Sequence, residues 1–201
     1  FRERKTLEDF DWQFNPSIKK KVVYDLASGR FVREARDCLW LGPPGTGKSH
    51  LCQAIGYQAI KMGFLVLYRS IFDVVRDFLE DEAFAGDSKV LAKYLKPDLL
   101  IVDDMGIKQL PKRSGEYLFE IILRRYETKS TMMTSNRPLE DWGKLLGDVP
   151  AATAILDRFL HHAEIITISG RSYRLKDRVT RHTEKSKEQT TNEPKKKDKS
   201  S

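Results

Sequence analysis

The sequence predicts a three-layer α/β domain on a parallel sheet, and two patterns carry that expectation. Short apolar runs at Cys38–Leu41, Phe64–Tyr68, Leu99–Val102 and Thr131–Thr134 are continuous rather than alternating, as in strands covered on both faces. A fifth, weaker run is Glu164–Ile168. Helical patterns lie between them, and strand–helix alternation builds parallel sheets through right-handed crossovers. The helices are read at Lys48–Met62, closed by Gly63, and at Ile71–Glu80, apolar at Phe72, Val75 and Leu79. A third covers Ser114–Thr128, with Leu118, Ile121 and Ile122 on one face and arginines opposite, and a fourth starts near Ala151 and includes Asp157–His162.

Composition narrows the class of protein. Hydrophobic residues are 40% of the 201, enough for a core, while charged residues reach 32%. No apolar run approaches the ~18 residues of a membrane span, and the largely charged first ten residues do not form a signal peptide. The chain begins at Phe1 and is read as a fragment or a processed product. Cys38 and Cys52 fit no zinc spacing, and a disulfide between them would have to cross a loop, so free thiols in a reducing cytoplasm are expected.

Net charge is +7, and the stretch Arg178–Ser201 contributes eight Lys/Arg against four Asp/Glu. That stretch has too few apolar residues to offset its ordering entropy and is expected to be disordered. A Lys-rich tail can hold phosphate backbones, and it can equally be a solvated terminus. The organisation expected is a lead-in over 1–35, a core over 36–176 and a basic tail over 177–201.

Gly42-Pro43-Pro44-Gly45-Thr46-Gly47-Lys48-Ser49 matches G-x-x-x-x-G-K-[ST], follows an apolar strand and opens a helix. Glycines let the backbone turn successive N–H groups toward phosphates, and the helix N-terminus adds partial positive charge. Lys48 then reaches the β/γ oxygens of a nucleotide, and Ser49 offers a hydroxyl to Mg²⁺. This makes the chain a P-loop NTPase on sequence grounds, with ATP and Mg²⁺ expected; the binding set extends through His50.

Leu99-Leu-Ile-Val-Asp103-Asp104 is an apolar strand ending in two acids. Strand ends are often acidic and merely solvated. Placed after a P-loop, Asp103 is expected to serve the metal and Asp104 to orient or deprotonate the attacking water. Asn136 ends the next strand, where it can reach the γ-phosphate or that water, although Ser135-Asn136-Arg137-Pro138 is also good turn chemistry. Arg158 is a candidate donor to a γ-phosphate across a subunit boundary; the alternative is an ion pair with Asp157.

With these motifs in order, the chain resembles the AAA+ ATPases of the DnaC/IstB group. The stretches that carry the resemblance to IstB-type proteins are Leu7–Phe14, Leu41–His50, Asp103–Gly106, Thr134–Pro138, Asp157–His162 and Gly170–Arg174. The resemblance implies a RecA-like core with a five-stranded parallel sheet and no separate lid domain. It implies Asn136 as sensor 1, Arg158 as the arginine finger, and Arg171 or Arg174 in a sensor 2 place. It further implies ATP hydrolysis controlled by self-assembly on duplex DNA, with a transposase as client; the Lys-rich tail, contacting phosphates rather than base edges, makes DNA binding largely independent of sequence. Arg76, Lys89 and Lys93 fall in a region where relatives contact DNA, but six acids there allow a solvated face equally well. One departure is that Asp104 stands where many AAA+ proteins have Glu; another is that the family carries an N-terminal helical region, whereas this sequence begins just ahead of the expected core. The rival readings are a DnaC-like helicase loader, a small-molecule kinase, for which no Arg-rich lid is visible, and a DNA-binding scaffold switched by ATP.

Overall fold

The computed structural model describes residues 5–83 and 89–176. The expected tail over 177–201 lies outside the described residues. Five parallel strands form one sheet: β1 Asp37–Leu41, β2 Val66–Ser70, β3 Leu99–Met105, β4 Ser130–Ser135 and β5 Ala163–Thr167, in the order β2-β3-β4-β1-β5. The helices are α1 Lys20–Ala27, α2 Arg30–Arg33, α3 Lys48–Lys61, α4 Ile71–Ala83, α5 Lys89–Leu95, α6 Ser114–Arg125, α7 Trp142–Leu146 and α8 Val149–His161. The expected three-layer architecture and strand count are those found. Among the described residues, β5 is followed only by a short 3₁₀ turn, Tyr173–Leu175, with no helical lid.

Alternating residues of each strand feed the two layers of the core. Leu39, Leu100, Val102 and Met133 point into a cluster with α4, α6 and α8 residues such as Val74, Leu118, Ile121, Ile155 and Phe159. Cys38, Trp40, Leu99, Ile101 and Met132 point the other way, against Leu51, Ile55 and Ala59 of α3. That second layer also takes Leu7, Ile18, Val23, Leu26 and Phe31, so the N-terminal lead-in is packed onto the core. Both cysteines are free and buried, and burial pushes both thiols up.

Boundaries differ from expectation in four informative places. The second strand runs Val66–Ser70 rather than Phe64–Tyr68, because Gly63 and Phe64 close α3: Gly63 N–H bonds Ile60 O and Phe64 N–H bonds Ala59 O. β3 runs on through Asp103 and Asp104 to Met105, so the acids lie within the strand rather than after it. The third helix ends at Arg125, not Thr128, and α8 begins at Val149, where Asp148 caps the Ala151 N–H at 2.9 Å and Pro150 occupies the first turn.

Arg125 corrects the expectation of a uniformly basic outer face on α6, being only 1% exposed. Its guanidinium donates to the carbonyls of Tyr94 and Pro97, both at 2.9 Å, to Ser130 O and to Thr131 Oγ1 at 3.0 Å. One planar fork thus joins the end of α5, the approach to β3 and the start of β4, while burial lowers its pKa to about 10. Arg125→Ala would strand these carbonyls in a dry site. We expect a loss of about 3–5 kcal/mol in urea unfolding, with Arg125→Lys recovering only part because an ammonium cannot reach all four acceptors.

Candidate functional site

The loop between β1 and α3 leaves the sheet at the carboxyl end of a central strand, where the chain crosses to β2 on the far side of β3 and β4. Crevices at such switch points are where open α/β sheets bind ligands. Gly45 and Gly47 have φ of 77° and 105°, the left-handed region that favours glycine. A Cβ at Gly45 would meet Ser172 Oγ at 2.1 Å, and one at Gly47 would meet the Phe10 ring at 2.7 Å, so distant parts of the chain close directly on the loop. Asn15, buried, donates to Thr46 O at 3.0 Å and Arg171 O at 3.4 Å, and Tyr173 N–H bonds Gly45 O at 2.8 Å.

Beside the loop lies a cleft of about 1060 Å³. Pro44, Gly45, Thr46, Gly47, Lys48, Ser49 and His50 line it together with Asp104 and Asn136. Gly42 and Pro43 complete the loop by offering carbonyls to Lys48 Nζ at 2.6 and 2.8 Å. Burial outweighs the nearby Asp103 and lowers the Lys48 pKa to about 8. His50 Nε2 lies 2.8 Å from Thr6 O, and its ring meets Phe10 edge-on, which ties the lead-in to α3.

Asp103 lies below the cleft, 1% exposed. Its carboxylate accepts hydrogen bonds from Ser49 Oγ at 3.0 Å, from the Thr134 and Tyr68 hydroxyls, and from Asp104 N–H at 2.9 Å. Tyr68 is itself held by Gln53 at 3.1 Å, and burial with Asp103 beside it pushes its pKa up. Asp104 has φ of 67°, which turns its side chain toward the cleft; burial first, then Asp103, raises its pKa. Arg174 lines the same cleft and lies within electrostatic reach of both Asp104 and Lys48. Arg171 instead stands over the Phe14 ring, so of the two sensor 2 candidates the geometry brings only Arg174 to the cleft.

Four candidates lie elsewhere. Arg158 is near the C-terminus of α8, within electrostatic reach of Tyr126 and at the opposite end of the sheet from the loop, where Ala163 pairs with Asp37. No ion pair with Asp157 forms among the described residues. Arg76 pairs with Asp73 at 2.5 Å, and Lys93 with Asp77 at 2.5 Å, so carboxylates of the chain already neutralise both; Lys89 opens α5. Sequence reasoning missed Asn15, Tyr68 and Tyr173 as parts of the site, since an isolated Asn or Tyr carries no spacing signal.

A Gly-rich loop, a buried acid of the third strand bonded to its Ser, and a 5-1-4-3-2 parallel sheet together define a P-loop NTPase of the AAA+ class. The family model for IstB-like ATP binding proteins matches residues 1–181, and the chain belongs to that family. It is 38% identical over 186 residues to the ATP-binding protein of insertion sequence IS5376 from Geobacillus stearothermophilus, covering 92% of this chain and 74% of that one. By structure it is similar to the DnaC helicase loader (TM-score 0.62, 24% identity, 74% of this chain and 86% of that one). It is similar also to AMPPCP-bound DnaA from Aquifex aeolicus (TM-score 0.67, 24% identity, 90% and 55%).

ATP affinity is expected to fall by about one to two decades in Lys48→Ala, the worth of one or two charge-assisted bonds. In the parent the charged ammonium is the binding form, and its pKa is about 8 without nucleotide. Affinity should therefore be level below that pH and decline above it, with proton uptake on binding. Calorimetry in buffers of different ionisation enthalpy measures both.

Proposed function

We propose that the chain is a Mg²⁺-dependent ATPase that assembles with copies of itself on duplex DNA and there recruits or activates a transposase. The observation that carries this reading is the separation of its parts. The cleft gathers the loop, Ser49, Asp104 and Asn136 over Asp103, whereas Arg158 lies at the other end of the sheet, out of reach of its own cleft.

The residues present fit a hard cation: a hydroxyl 3.0 Å from a buried carboxylate is an all-oxygen donor pair. Ser49 would hold Mg²⁺ directly and Asp103 its water shell, and the ion would supply charge neutralisation on the phosphates. Lys48 exchanges its loop carbonyls for β/γ oxygens, so the nucleotide replaces bonds that the free loop makes to itself. Asp104, with a raised pKa and its backbone N–H tied to Asp103 and Thr134, orients the attacking water and takes its proton. Asn136, anchored by its N–H to Met105 O at 2.8 Å, fixes the γ-phosphate end, and Arg174 adds positive charge there. Arg158 completes a neighbour's site. The DNA and transposase part rests on family membership and the insertion-sequence relative. A helicase-loader role shares every catalytic element and differs in client; copurification with a transposase or with a replicative helicase separates them.

Asp104→Asn should retain ATP binding and slow phosphate release at least tenfold, whereas Asp103→Asn should also weaken Mg²⁺-dependent binding. Parental turnover in Asp104→Asn removes it from the water.

Arg158→Ala should bind ATP normally and lose DNA-stimulated hydrolysis. Mixing it with Lys48→Ala protein should restore part of the rate, since each supplies what the other lacks. Phosphate release that duplex DNA does not stimulate in the parent favours the ATP-switched scaffold.

A further inference from the structure

Away from the cleft, three side chains converge where α6 turns into β4 and α8 into β5. Glu127 follows α6, His161 ends α8 and His162 precedes β5. One ligand atom from each lies within 4.8 Å of the other two. His161 Nδ1 is 3.0 Å from His162 Nε2, which is 2.7 Å from Glu127 Oε1. Main-chain bonds hold both segments: Asp37 N–H of β1 bonds His162 O at 3.3 Å, and Tyr126 N–H closes the last turn of α6 on Ile122 O at 2.9 Å.

With both imidazoles neutral, the contacts among these groups cannot each have a proton along them. Two imidazole nitrogens at 3.0 Å repel through their lone pairs unless a proton or a metal ion lies between them, and Glu127 brings a carboxylate oxygen to 2.7 Å from the second nitrogen. One proton on His162 Nε2 cannot point along both of its contacts. A cation placed among the three atoms serves all of them at once. With metal–nitrogen bonds of about 2.1 Å, neighbouring ligands on an octahedral ion stand about 3.0 Å apart, close to the two short edges here. Glu127, with its side chain 58% exposed, can swing to close the third edge.

We propose that Glu127, His161 and His162 form a binding site for a divalent transition-metal ion, with the remaining coordination positions open to solvent. Two imidazoles and one carboxylate select Zn²⁺, Co²⁺ or Ni²⁺ over Mg²⁺, which takes oxygen donors. The site is therefore chemically distinct from the one at Ser49 and Asp103. Tyr126 competes for this position: its hydroxyl is 2.8 Å from His161 Nδ1, the atom that would bind the metal, and must turn aside when the ion enters. Arg158 and Asp157 both lie within electrostatic reach of Tyr126, so this flank adds no net charge. The metal would lock together the end of α8, which carries Arg158, and the turn after α6.

The experiment uses the untagged full chain in Mg²⁺ buffer. Zn²⁺ is titrated by calorimetry, and Co²⁺ by visible absorption, whose d–d bands report the donor set. One equivalent is expected, with affinity at least tenfold lower in Glu127→Gln and in His161→Gln, and unchanged in His50→Gln. Glu127 is exposed, so Glu127→Gln keeps the fold; circular dichroism of every variant verifies this. Absence of binding, or equal affinity in parent and Glu127→Gln, overturns the site and leaves a proton-bridged cluster. Loss of binding in His50→Gln alone relocates the metal to the cleft and overturns it too. None of these readouts depends on hydrolysis.

Discussion

The Asp103 carboxylate organises the candidate site, because four elements meet on its two oxygens. Ser49 of α3, Thr134 of β4, Tyr68 of β2 and the backbone of Asp104 all donate to it. A buried carboxylate is costly unless its lone pairs are taken, and here the donors that satisfy it also position the loop, the water-facing acid and the strand that leads to Asn136. The site is thus held by one charge and its cage. The glycines allow the loop's path, but they do not fix its place over the sheet.

That cage explains the division of labour between adjacent acids. Asp103 points down into hydroxyls, and Asp104 points up into the cleft because its backbone takes a left-handed turn that non-glycine residues rarely adopt. The two hydrogen bonds that Asp104 N–H donates, to Asp103 Oδ1 and Thr134 Oγ1, offset the strain. Two identical side chains one residue apart therefore meet different environments: one is saturated with donors, while the other is half-buried with a raised pKa.

Much of this was legible in the chain. The four apolar runs and the P-loop foretold the sheet and the loop's position, because a buried parallel strand and a phosphate loop both demand residue types at fixed spacing. Strand edges were less legible. Asp103 and Asp104 read as strand termini, since acids seldom lie within a strand, but β3 passes them in an irregular step and rejoins β4 at Met105, with side-chain acceptors taking the Asp104 N–H. Arg125 was read as outward-facing because α6 places Arg124 and Arg125 side by side and only packing reveals that one carries the carbonyls of three segments. Asn15 and Tyr173 were illegible as site residues: each acts through contacts far away in sequence, which no local pattern encodes.

Those contacts have a consequence for how the protein comes into being. Asn15 bridges Thr46 and Arg171, and Ser172 and Tyr173 close on Gly45. The phosphate loop is encoded within the first quarter of the chain, yet the residues that brace it arrive near the end of the described fold. Contacts of such sequence separation form late, after the loop-closure entropy has been met. During synthesis the loop therefore exists for most of the chain's growth without its brace. A nucleotide that grips the braced loop favours the closed chain over the partly made one, and so acts as a ligand for completion of the fold as well as for the finished protein.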